Sequence, residues 1–532
     1  MPHQAIRFYH RGAVVEVRGA HPTRTVLEWL REDAHCTGTK EGCNEGDCGA
    51  CTVMIGELPG RSEAPGTTVR GLALRTVNAC LQFLPTLHGK ALFTVEDLKA
   101  ADTATQPGAL HPVQQALVDC HGSQCGFCTP GFVMSLWSTY EHHSACDTQP
   151  TRQQLADDLS GNLCRCTGYR PILDAGQRMF DLPAIALDTA PVVAALQGIA
   201  RGASEGSFSY AGPNAARRTD HFHAPRTLDA LAALRLQHPQ AQLLAGSTDV
   251  GLWVNKMFRD LGDILFVGDV DAMKVVEERD HLGGRELYIG AGASLTRAWE
   301  ALVQRVPALT DMWLRFASPP IRNAGTMGGN VANGSPIGDS PPILMALDAQ
   351  IELRRGERVR RMPLQDFYTD YMKNRLETGE FVQGLAIPLT ALARQVRGYK
   401  ISKRFDCDIS ALCGGFAIEL DGDRVAAVRL AFGGMAATVR RAAHAEAALR
   451  GQPWSQEAVQ AAQAALASDF APLSDMRASA GYRLQVAQNL LRRFWLETRT
   501  ADPLPSALTS VFSAMPHAAP AATASPSDLQ GA

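Results

Sequence analysis

Three closely spaced cysteines near the amino terminus are the first residues whose types and spacing suggest chemistry. In the stretch KEGCNEGDCGAC they form a C-x4-C-x2-C pattern at Cys43, Cys48 and Cys51, and Cys80 follows in the stretch NAC. Four cysteines at this spacing are typical of a plant-type [2Fe–2S] site. The intervening glycines allow the tight turns that converging ligands need. We therefore predict a [2Fe–2S] cluster here, since structural zinc usually uses two cysteine pairs.

A second set of four cysteines follows the first. It consists of a C-x2-C pair in QCGFCTPG and a C-x-C pair in GNLCRC, at Cys125, Cys128, Cys164 and Cys166. On spacing alone this set is also compatible with zinc. The neighbouring first set favours iron, because two clusters close together can pass electrons between them. We therefore predict a second [2Fe–2S] cluster.

The composition is that of a soluble globular protein of several domains. The 532 residues are 45% hydrophobic and 20% charged, and the net charge of -3 does not indicate nucleic acid or an anionic membrane as a partner. No apolar run is long enough to span a membrane, and the amino terminus contains no apolar signal core. We expect a cytoplasmic protein, in which disulfides are rare and the 13 cysteines need another use.

Five cysteines remain outside the two sets. For Cys36, Cys120 and Cys146 we expect the role of a small buried apolar side chain. The sequence assigns no role to Cys407 or Cys413. Since eleven cysteines lie at or before Cys166, the first third of the chain has chemistry of its own.

The elements that must position these residues are visible as local patterns. Alternating residues at 5–17 predict a β-hairpin, and residues 52–55 predict a strand. Pro112 and Pro130 are each placed to begin a helix. The fold class is multidomain α+β. The predicted divisions are a first cluster domain at 1–95, a helical cluster domain at 96–180, a linker at 181–218, an α/β domain at 219–395, an α+β domain at 396–500 and a disordered tail at 501–532.

Two later stretches are rich in glycine and small polar residues. One is LLAGSTDV at 243–250, and the other is IRNAGTMGGNVANGSPIGD at 321–339. Both suit a pyrophosphate, because glycine brings backbone amides close to phosphate and hydroxyls add donors. The first stretch alone is as easily an ordinary turn. A Rossmann site is disfavoured, because Leu295 stands where the third glycine of the stretch beginning at Gly290 belongs.

The cysteine motifs, including GNLCRCTGYRPI, resemble the iron–sulfur region of the xanthine dehydrogenase family of molybdenum hydroxylases, and all eight ligand positions match. The resemblance covers residues 5–495 and implies a β-grasp ferredoxin-like domain, a four-helix [2Fe–2S] domain, a vanillyl-alcohol-oxidase-type FAD domain and a C-terminal α+β flavoprotein domain. It also implies that Gln124 and the Cys164–Cys166 loop lie beside a molybdopterin held elsewhere. The family's FAD contacts correspond here to Leu243, Leu244, Ala245, Gly246, Ser247, Thr248, Asp249, Val250, Phe316, Thr326, Met327, Gly328, Gly329, Asn330, Asp339, Val382 and Lys400.

The same resemblance implies a small subunit of a split enzyme. Such a subunit carries two [2Fe–2S] clusters and FAD, and it passes electrons from hypoxanthine or xanthine, oxidised on a molybdopterin-binding large subunit, to NAD. It has no general acid or base of its own, and the family suggests a dimer of heterodimers. The stretch 404–408 departs from the animal enzymes, which leaves NAD or oxygen as acceptor. Open alternatives are a subunit serving an aldehyde, nicotinate, carbon monoxide or an aromatic acyl-CoA, a stand-alone flavin–ferredoxin reductase, and a zinc-stabilised scaffold.

Overall fold

The computed structural model describes residues 4–60, 68–100, 110–201, 207–214, 217–281 and 283–510. The predicted disordered tail therefore falls mostly outside the described residues, although a short 3-10 turn, Ser506–Leu508, lies at its beginning. Within the described residues, no helix combines the length and the apolar character needed to cross a membrane.

The first part of the chain forms a mixed sheet with the strand order β2-β1-β5-β3-β4. The predicted hairpin is confirmed: β1 and β2 pair antiparallel around Arg11 and Gly12, whose positive φ angles suit a tight hairpin turn. A Thr25–Glu28 capping box begins α1, and a π-helical turn, Trp29–Asp33, continues it. The bounds are β1 Ile6–His10, β2 Ala13–Val17, α1 Val26–Glu28, β3 Thr52–Glu57, β4 Ala73–Asn78 and β5 Ala91–Phe93.

Helices follow this sheet and pack on one of its faces. The predicted helix starts are confirmed, because Pro112 is the first residue of α3 and Pro130 is the second residue of α4. Met54, Leu74 and Phe93 of the sheet share one buried core with Trp137 of α4. The helices are α2 Val95–Ala100, α3 Pro112–Asp119, α4 Thr129–Ala145, α5 Arg152–Asp158 and α6 Arg170–Arg178.

The segment predicted as a linker, 181–218, contains regular structure. Helix α7, Ala190–Arg201, buries Val192, Leu196 and Ile199 in the same core as α4. Strand β6, Ser207–Pro213, begins the next sheet. The apolar face of α7 was not recognised from the sequence, because the helix is rich in alanine and only three larger buried side chains recur at helical spacing.

The middle of the chain forms two larger sheets and a small one, in which β14 pairs with β15. One has the order β6-β7-β9-β8, and its Phe208, Tyr210 and Phe222 share a core with Ile6 and Phe8 of the first sheet. The other has the order β10-β11-β16-β12-β13. The remaining bounds in this region are β7 Thr219–Pro225, α8 Leu228–Gln237, β8 Gln242–Leu244, α9 Val250–Asn255, β9 Ile264–Phe266, β10 Val276–His281, β11 Gly284–Gly290, α10 Leu295–Arg305, α11 Thr310–Arg315, α12 Pro319–Ala324, α13 Met327–Ala332, α14 Ser340–Ala346, β12 Gln350–Arg355, β13 Arg358–Pro363, β14 Tyr368–Asp370, β15 Lys373–Asn374 and β16 Phe381–Pro388.

The last described part is an antiparallel sheet covered by helices. Its order is β17-β18-β19-β20, and Phe416, Phe432 and Phe494 form the centre of its core. Strand β18 also lies against α14, which joins this part to the preceding one. The bounds are α15 Leu389–Leu392, β17 Gln395–Ile401, β18 Leu412–Asp421, β19 Arg424–Gly433, β20 Arg440–Arg441, α16 Ala443–Leu449, α17 Gln456–Asp469 and α18 Ala480–Thr498.

Candidate functional site

Two neighbouring strands bring the first cysteine quartet together. Cys51 directly precedes β3 and Cys80 follows shortly after β4. Thr52 pairs with Asn78 at the end of this antiparallel ladder, and the Ala79 amide donates to the Cys51 carbonyl at 3.1 Å. Register alone therefore places Cys51 beside Cys80, although 29 residues separate them in sequence.

The four sulfurs of the first quartet form two pairs. The thiol of Cys43 lies beside that of Cys48, and the thiol of Cys51 lies beside that of Cys80. Within each pair one thiol donates to the other sulfur, so the hydrogen bond from Cys48 lowers the pKa of Cys43 to about 5. The bond from Cys80 likewise lowers the pKa of Cys51, while the pKa of each donor is raised.

The loop between Cys43 and Cys48 turns its backbone amides toward sulfur. Amides of Glu45, Asp47 and Cys48 stabilise the Cys43 thiolate, and the Gly46 amide does the same for Cys80. This curl requires left-handed backbone at Gly46, with φ of 78°, where glycine carries no steric penalty. Amides directed at ligand sulfurs are the interactions that tune an iron–sulfur cluster.

The paired arrangement fits a binuclear cluster. Throughout the described residues, no group of three or more His, Cys, Asp or Glu side chains surrounds a point where one metal ion could bind. A [2Fe–2S] cluster instead takes two thiolates on each of two irons. The Cys43–Cys48 pair and the Cys51–Cys80 pair match that requirement.

The second quartet is also built from two pairs. Cys128 is the residue before α4 and its thiol lies beside Cys164, and the Cys125 thiol lies beside Cys166. Burial first, and then Cys164, raises the pKa of Cys128 to about 12. Burial opposes ionisation of Cys164, yet its pKa is lowered, because Thr167 donates to its sulfur from both its hydroxyl and its amide.

Gln124 and Tyr169 hold the loop that carries the second pair of ligands. The Gln124 amide donates to the Cys166 carbonyl at 3.1 Å, and the Cys164 amide donates to the Tyr169 hydroxyl at 3.1 Å. Tyr169 has left-handed backbone, with φ of 70°, immediately before α6. Both sequence-predicted cysteine sets are therefore brought together by the fold.

The two quartets differ in exposure. Cys51 and Cys80 are buried, whereas Cys125 and Cys166 are exposed. Large apolar side chains are also exposed around the second quartet, at Leu110, Val118, Phe127, Leu163 and Tyr169. A groove of about 580 Å³ runs between α3 and the beginning of α4, next to these residues.

All 13 cysteines lie in the described residues, and each is a free thiol. The expected buried role is confirmed for Cys36, whose sulfur lies 3.6 Å from His10 Nε2. It is wrong for Cys146, which is exposed just beyond the end of α4, and Cys120 is only half-buried. Cys413 is buried, and burial raises the pKa of Cys407 to about 11.

The two glycine-rich stretches meet. Gly246 lies against the backbone of Ala324 and Gly325 so closely that a side chain at this position would collide with it. On the other side of this contact Gly328 lies against Ala291. Thr326 caps α13 by accepting from the Gly329 amide at 3.1 Å. Glycine is therefore required here by close approach of backbone segments.

Two polar atoms in these stretches lie buried without a hydrogen-bond partner among the described residues. They are the hydroxyl of Ser247, which has left-handed backbone with φ of 64°, and the side-chain carbonyl of Asn330. Buried polar atoms in proteins are nearly always paired, so an orphaned hydroxyl and an orphaned acceptor indicate room for a polar ligand. This observation fits the flavin predicted for the two stretches.

A buried ion pair lies at the beginning of α14. Lys400 Nζ donates to Asp339 Oδ2 at 2.7 Å and to Ser410 Oγ at 2.9 Å, and Ser410 donates to Asp339 Oδ1 at 2.6 Å. Asp339 is 4% exposed and Lys400 is 5% exposed. The structure thus places two predicted flavin contacts in one closed network.

Phe316 and Val382 are the remaining predicted flavin positions, and each lies near residues that contact the groups described above. The Phe316 ring lies 5.9 Å from that of Trp299, whose indole donates to Ser340, the residue after Asp339. Val382 precedes Gln383, whose carbonyl accepts from the Ala291 amide beside Gly328. Each is buried in the same core.

A cavity of about 700 Å³ lies between the iron–sulfur part and the middle part of the chain. Of the predicted flavin positions, only Ala245, Gly246 and Thr326 line it. The rest of its wall includes residues of β4, α4 and α10, which carry none of those positions. The cavity therefore does not coincide with the predicted flavin residues as a set.

Sequence reasoning missed several side chains that hold the cysteine loops. Asn255 donates to the Cys80 carbonyl at 2.7 Å, and Lys256 donates to the Cys43 carbonyl at 2.6 Å. Gln82 donates to the Gly246 carbonyl at 3.1 Å. Asn162 contacts the first loop from the second motif. Only Asn162 had a signal, because it stands two residues before a ligand cysteine.

Four family models match the chain in succession. They are described as a 2Fe-2S iron-sulfur cluster binding domain at 8–84, a [2Fe-2S] binding domain at 94–177, a FAD binding domain in molybdopterin dehydrogenase at 216–390 and a CO dehydrogenase flavoprotein C-terminal domain at 397–498. This chain carries the iron–sulfur and flavin domains of the molybdenum hydroxylase family.

Curated relatives of this molybdenum hydroxylase module are longer proteins. Xanthine dehydrogenase of Drosophila subobscura is 32% identical over 81% of this chain and 34% of its own length. Xanthine dehydrogenase of Emericella nidulans is 30% identical over 93% of this chain and 39% of its length, and aldehyde oxidase 4 of Cavia porcellus is 29% identical over 97% and 42%. The chain thus spans about a third to two fifths of these relatives.

Solved structures resemble about half of the chain. Carbon monoxide dehydrogenase of Hydrogenophaga pseudoflava is 28% identical and covers 51% of this chain and 94% of its own, with a TM-score of 0.48. Quinoline 2-oxidoreductase of Pseudomonas putida 86 is 22% identical and covers 53% and 97%, with a TM-score of 0.47. TM-scores below 0.5 support no functional inference.

Proposed function

We propose that this chain is the electron-transfer subunit of a xanthine dehydrogenase. In this proposal it receives electrons from a molybdopterin-binding partner subunit that converts hypoxanthine and xanthine to urate, and it delivers them to NAD in the cytoplasm. Bound to this chain, two [2Fe–2S] clusters and FAD would supply the one-electron and hydride chemistry. The chain's own residues hold and separate these groups, and none acts as a general acid or base.

The observation that carries the proposal is the order of the sites in space. The exposed second quartet touches the first quartet, because the Leu163 amide donates to the Cys48 carbonyl at 3.0 Å. The segment at Cys80 in turn contacts the region of the first glycine-rich stretch: Gln82, two residues after Cys80, donates to the Gly246 carbonyl, and Asn255, just after the stretch, donates to the Cys80 carbonyl. The sites therefore form a line from the surface to the flavin segments, as a relay requires.

The exposed end of this line suits a protein partner. Cys125 and Cys166 open to solvent, the exposed Leu110 and Val118 line a groove together with Gly126, the neighbour of Cys125, and Phe127 is exposed two residues after Cys125. An apolar patch around a redox site is costly to leave in water unless another surface covers it. We assign this face to the molybdopterin-binding subunit, in an assembly expected to be a dimer of heterodimers.

The other end of the line suits FAD. We assign the pyrophosphate to residues 243–250 and 326–330, where Ser247 and Asn330 offer unpaired buried atoms. Phe316, Val382, Asp339 and Lys400 complete the set around the isoalloxazine and its sugar chain. The match to an FAD binding domain at 216–390 supports this assignment. We propose NAD as the acceptor, in keeping with the xanthine dehydrogenase relatives.

A second candidate is the corresponding part of an aldehyde-oxidising molybdenum hydroxylase. One observation favours it: aldehyde oxidase 4 of Cavia porcellus aligns with 97% of this chain at an identity close to that of the xanthine dehydrogenases. The substrate is bound outside this chain in either case, so the two candidates share the same electron-transfer residues here.

Counting cofactors on the purified complex tests the proposal. We expect four irons, one FAD and two distinct [2Fe–2S] signals in electron paramagnetic resonance after reduction. Xanthine should reduce both clusters and the flavin, and NAD should reoxidise them. Zinc in place of iron would contradict the cluster assignment. Reduction of the clusters and flavin by aldehydes but not by xanthine would favour the second candidate. Purification of the chain without a molybdopterin-binding subunit would contradict the proposed partner.

A further inference from the structure

Asn162 lies between the two cysteine quartets and contacts both of their supporting loops. It stands two residues before Cys164 and is 2% exposed. Its side-chain amide donates to the Gly49 carbonyl at 3.1 Å and to Thr52 Oγ1 at 3.3 Å. Gly49 lies between the ligands Cys48 and Cys51, so this one side chain spans from the second motif into the first.

The amide nitrogen and the carbonyl oxygen of the Asn162 side chain both have hydrogen-bond partners. Its carbonyl oxygen accepts from Ser135 Oγ at 2.6 Å, and Ser135 lies on α4, the helix that begins at Cys128. The amide nitrogen faces two acceptors and the oxygen faces a hydroxyl, which fixes the orientation of the amide group. Asn162 therefore ties together the first cysteine loop, the second cysteine loop and α4.

The backbones around Asn162 are packed without spare room. A side chain at Gly49 would collide with the Gly161 carbonyl, and a side chain at Gly131 would collide with the Gly49 carbonyl. The Leu163 amide donates to the Cys48 carbonyl in the same place. Because both loops approach through bare backbone, a buried side chain with two donors and one acceptor is the part that can fix their relative position.

We propose that Asn162 is a positioning residue that fixes the separation and relative orientation of the two cluster sites. This inference rests on the proposed function, since it presumes that both quartets bind [2Fe–2S] clusters. The hydrogen bonds of the Asn162 side chain go to Gly49, Thr52 and Ser135, so it acts through Gly49 on one side and through its own loop on the other. No other residue type offers the same three hydrogen bonds at this size.

The test compares Asn162→Ala with a matched control in the same domain. Thr139→Val is the control, because Thr139 Oγ1 on α4 makes a partly buried hydrogen bond to Asp158 at 2.9 Å, away from the first loop. In the intact complex, iron per chain is counted and both [2Fe–2S] signals are recorded. Pulsed dipolar spectroscopy of the fully reduced protein then measures the distance distribution between the two clusters.

We expect Asn162→Ala to retain both clusters but to broaden or shift the inter-cluster distance distribution, whereas Thr139→Val keeps the wild-type distribution. A variant that only loses stability would lower the melting temperature without moving this distance. An unchanged distance distribution in Asn162→Ala, with both clusters present, would overturn the inference and leave the proposed function intact. Wild-type protein without two cluster signals would instead overturn the proposed function.

Should Asn162→Ala fail to fold, Ser135→Ala takes its place. This variant removes the hydroxyl that orients the Asn162 amide and leaves its contacts to Gly49 and Thr52 possible. A smaller broadening in the same direction supports the role of Asn162. A distribution identical to that of Thr139→Val counts against it.

Discussion

Two lysines contact the proposed cofactor sites, Lys400 at the flavin region and Lys256 at the first cysteine loop, and each is suited to a single-residue test. Lys400 is buried against Asp339 and Ser410, and Lys256 is half exposed above the Cys43 loop. The first is held in a closed network, where loss of one charge leaves the other unpaired. The second lies in water, where its charge is screened but its hydrogen bond to a ligand residue is direct.

Replacing Lys400 by methionine should destabilise the protein and weaken flavin binding. Removing one partner of a buried ion pair costs about 3 kcal/mol or more, because Asp339 then remains buried without its countercharge. We expect a lower melting temperature and less FAD per chain by absorbance, with the iron content unchanged. Lys373→Met is the control, since Lys373 is exposed and its ion pair to Asp370 lies at the surface. Full flavin content in Lys400→Met would contradict the assignment.

Replacing Lys256 by methionine should affect the first cluster alone. Lys256 donates to the Cys43 carbonyl and lies 3.7 Å from Glu45, so its removal takes a positive charge and a hydrogen bond from that loop. Positive charge favours the reduced, more negative cluster, and we expect a lower midpoint potential for one of the two signals. Redox titration followed by electron paramagnetic resonance measures this. Equal shifts in the midpoint potentials of both clusters, or no shift in either, would contradict the prediction that Lys256 acts on the first cluster alone.

At the scale of elements, the amino-terminal cap of α3 makes stability depend on pH. His111 is 2% exposed, lies against the rings of Trp137 and Tyr140, and accepts from the Val113 amide through Nδ1. Burial lowers its pKa to about 4. The unfolded chain, with the ordinary His pKa, therefore binds the extra proton more readily between about pH 6.5 and pH 4.

The free energy of unfolding should therefore be highest above pH 6.5 and should fall as the pH drops toward 4. His111 accounts for about 3 kcal/mol of this loss. His111→Asn should remove that part of the dependence, because asparagine caps helices well and does not titrate. Urea unfolding of both proteins at several pH values measures it. A difference between variant and wild type that stays constant from pH 7 to pH 4.5 would contradict the prediction.

Some of the secondary-structure elements could be predicted from the sequence and others could not. The hairpin, the strand at 52–57 and both proline-initiated helices follow from local patterns, and the cysteine sets follow from spacing. Helix α7 did not follow from local patterns, because it has few large apolar residues and their helical spacing is hard to recognise among the alanines. The roles of Asn255 and Lys256 were also missed, because contacts across some 200 residues leave no trace in local sequence.

At the scale of the whole molecule, the exposed apolar face beside the second quartet should be where the partner docks. Val118 on α3 is 58% exposed and lines the groove there. We expect Val118→Asp to keep iron and flavin but to lose co-purification with the molybdopterin-binding subunit. Val359→Asp is the control, because Val359 is similarly exposed on β13 of the other part of the chain. Equal retention of the partner by both variants would place the docking face elsewhere.

The shared core beneath the two cluster sites sets a limit on dividing this protein. Family models separate the chain into modules near residue 90, but Met54, Leu74 and Phe93 on one side of that boundary pack with Trp137 on the other. A fragment ending at residue 95 would expose this apolar surface to water. The ferredoxin-like module of the sequence is therefore not an independent folding unit, and a gene fusion or split at that boundary would separate halves of one core.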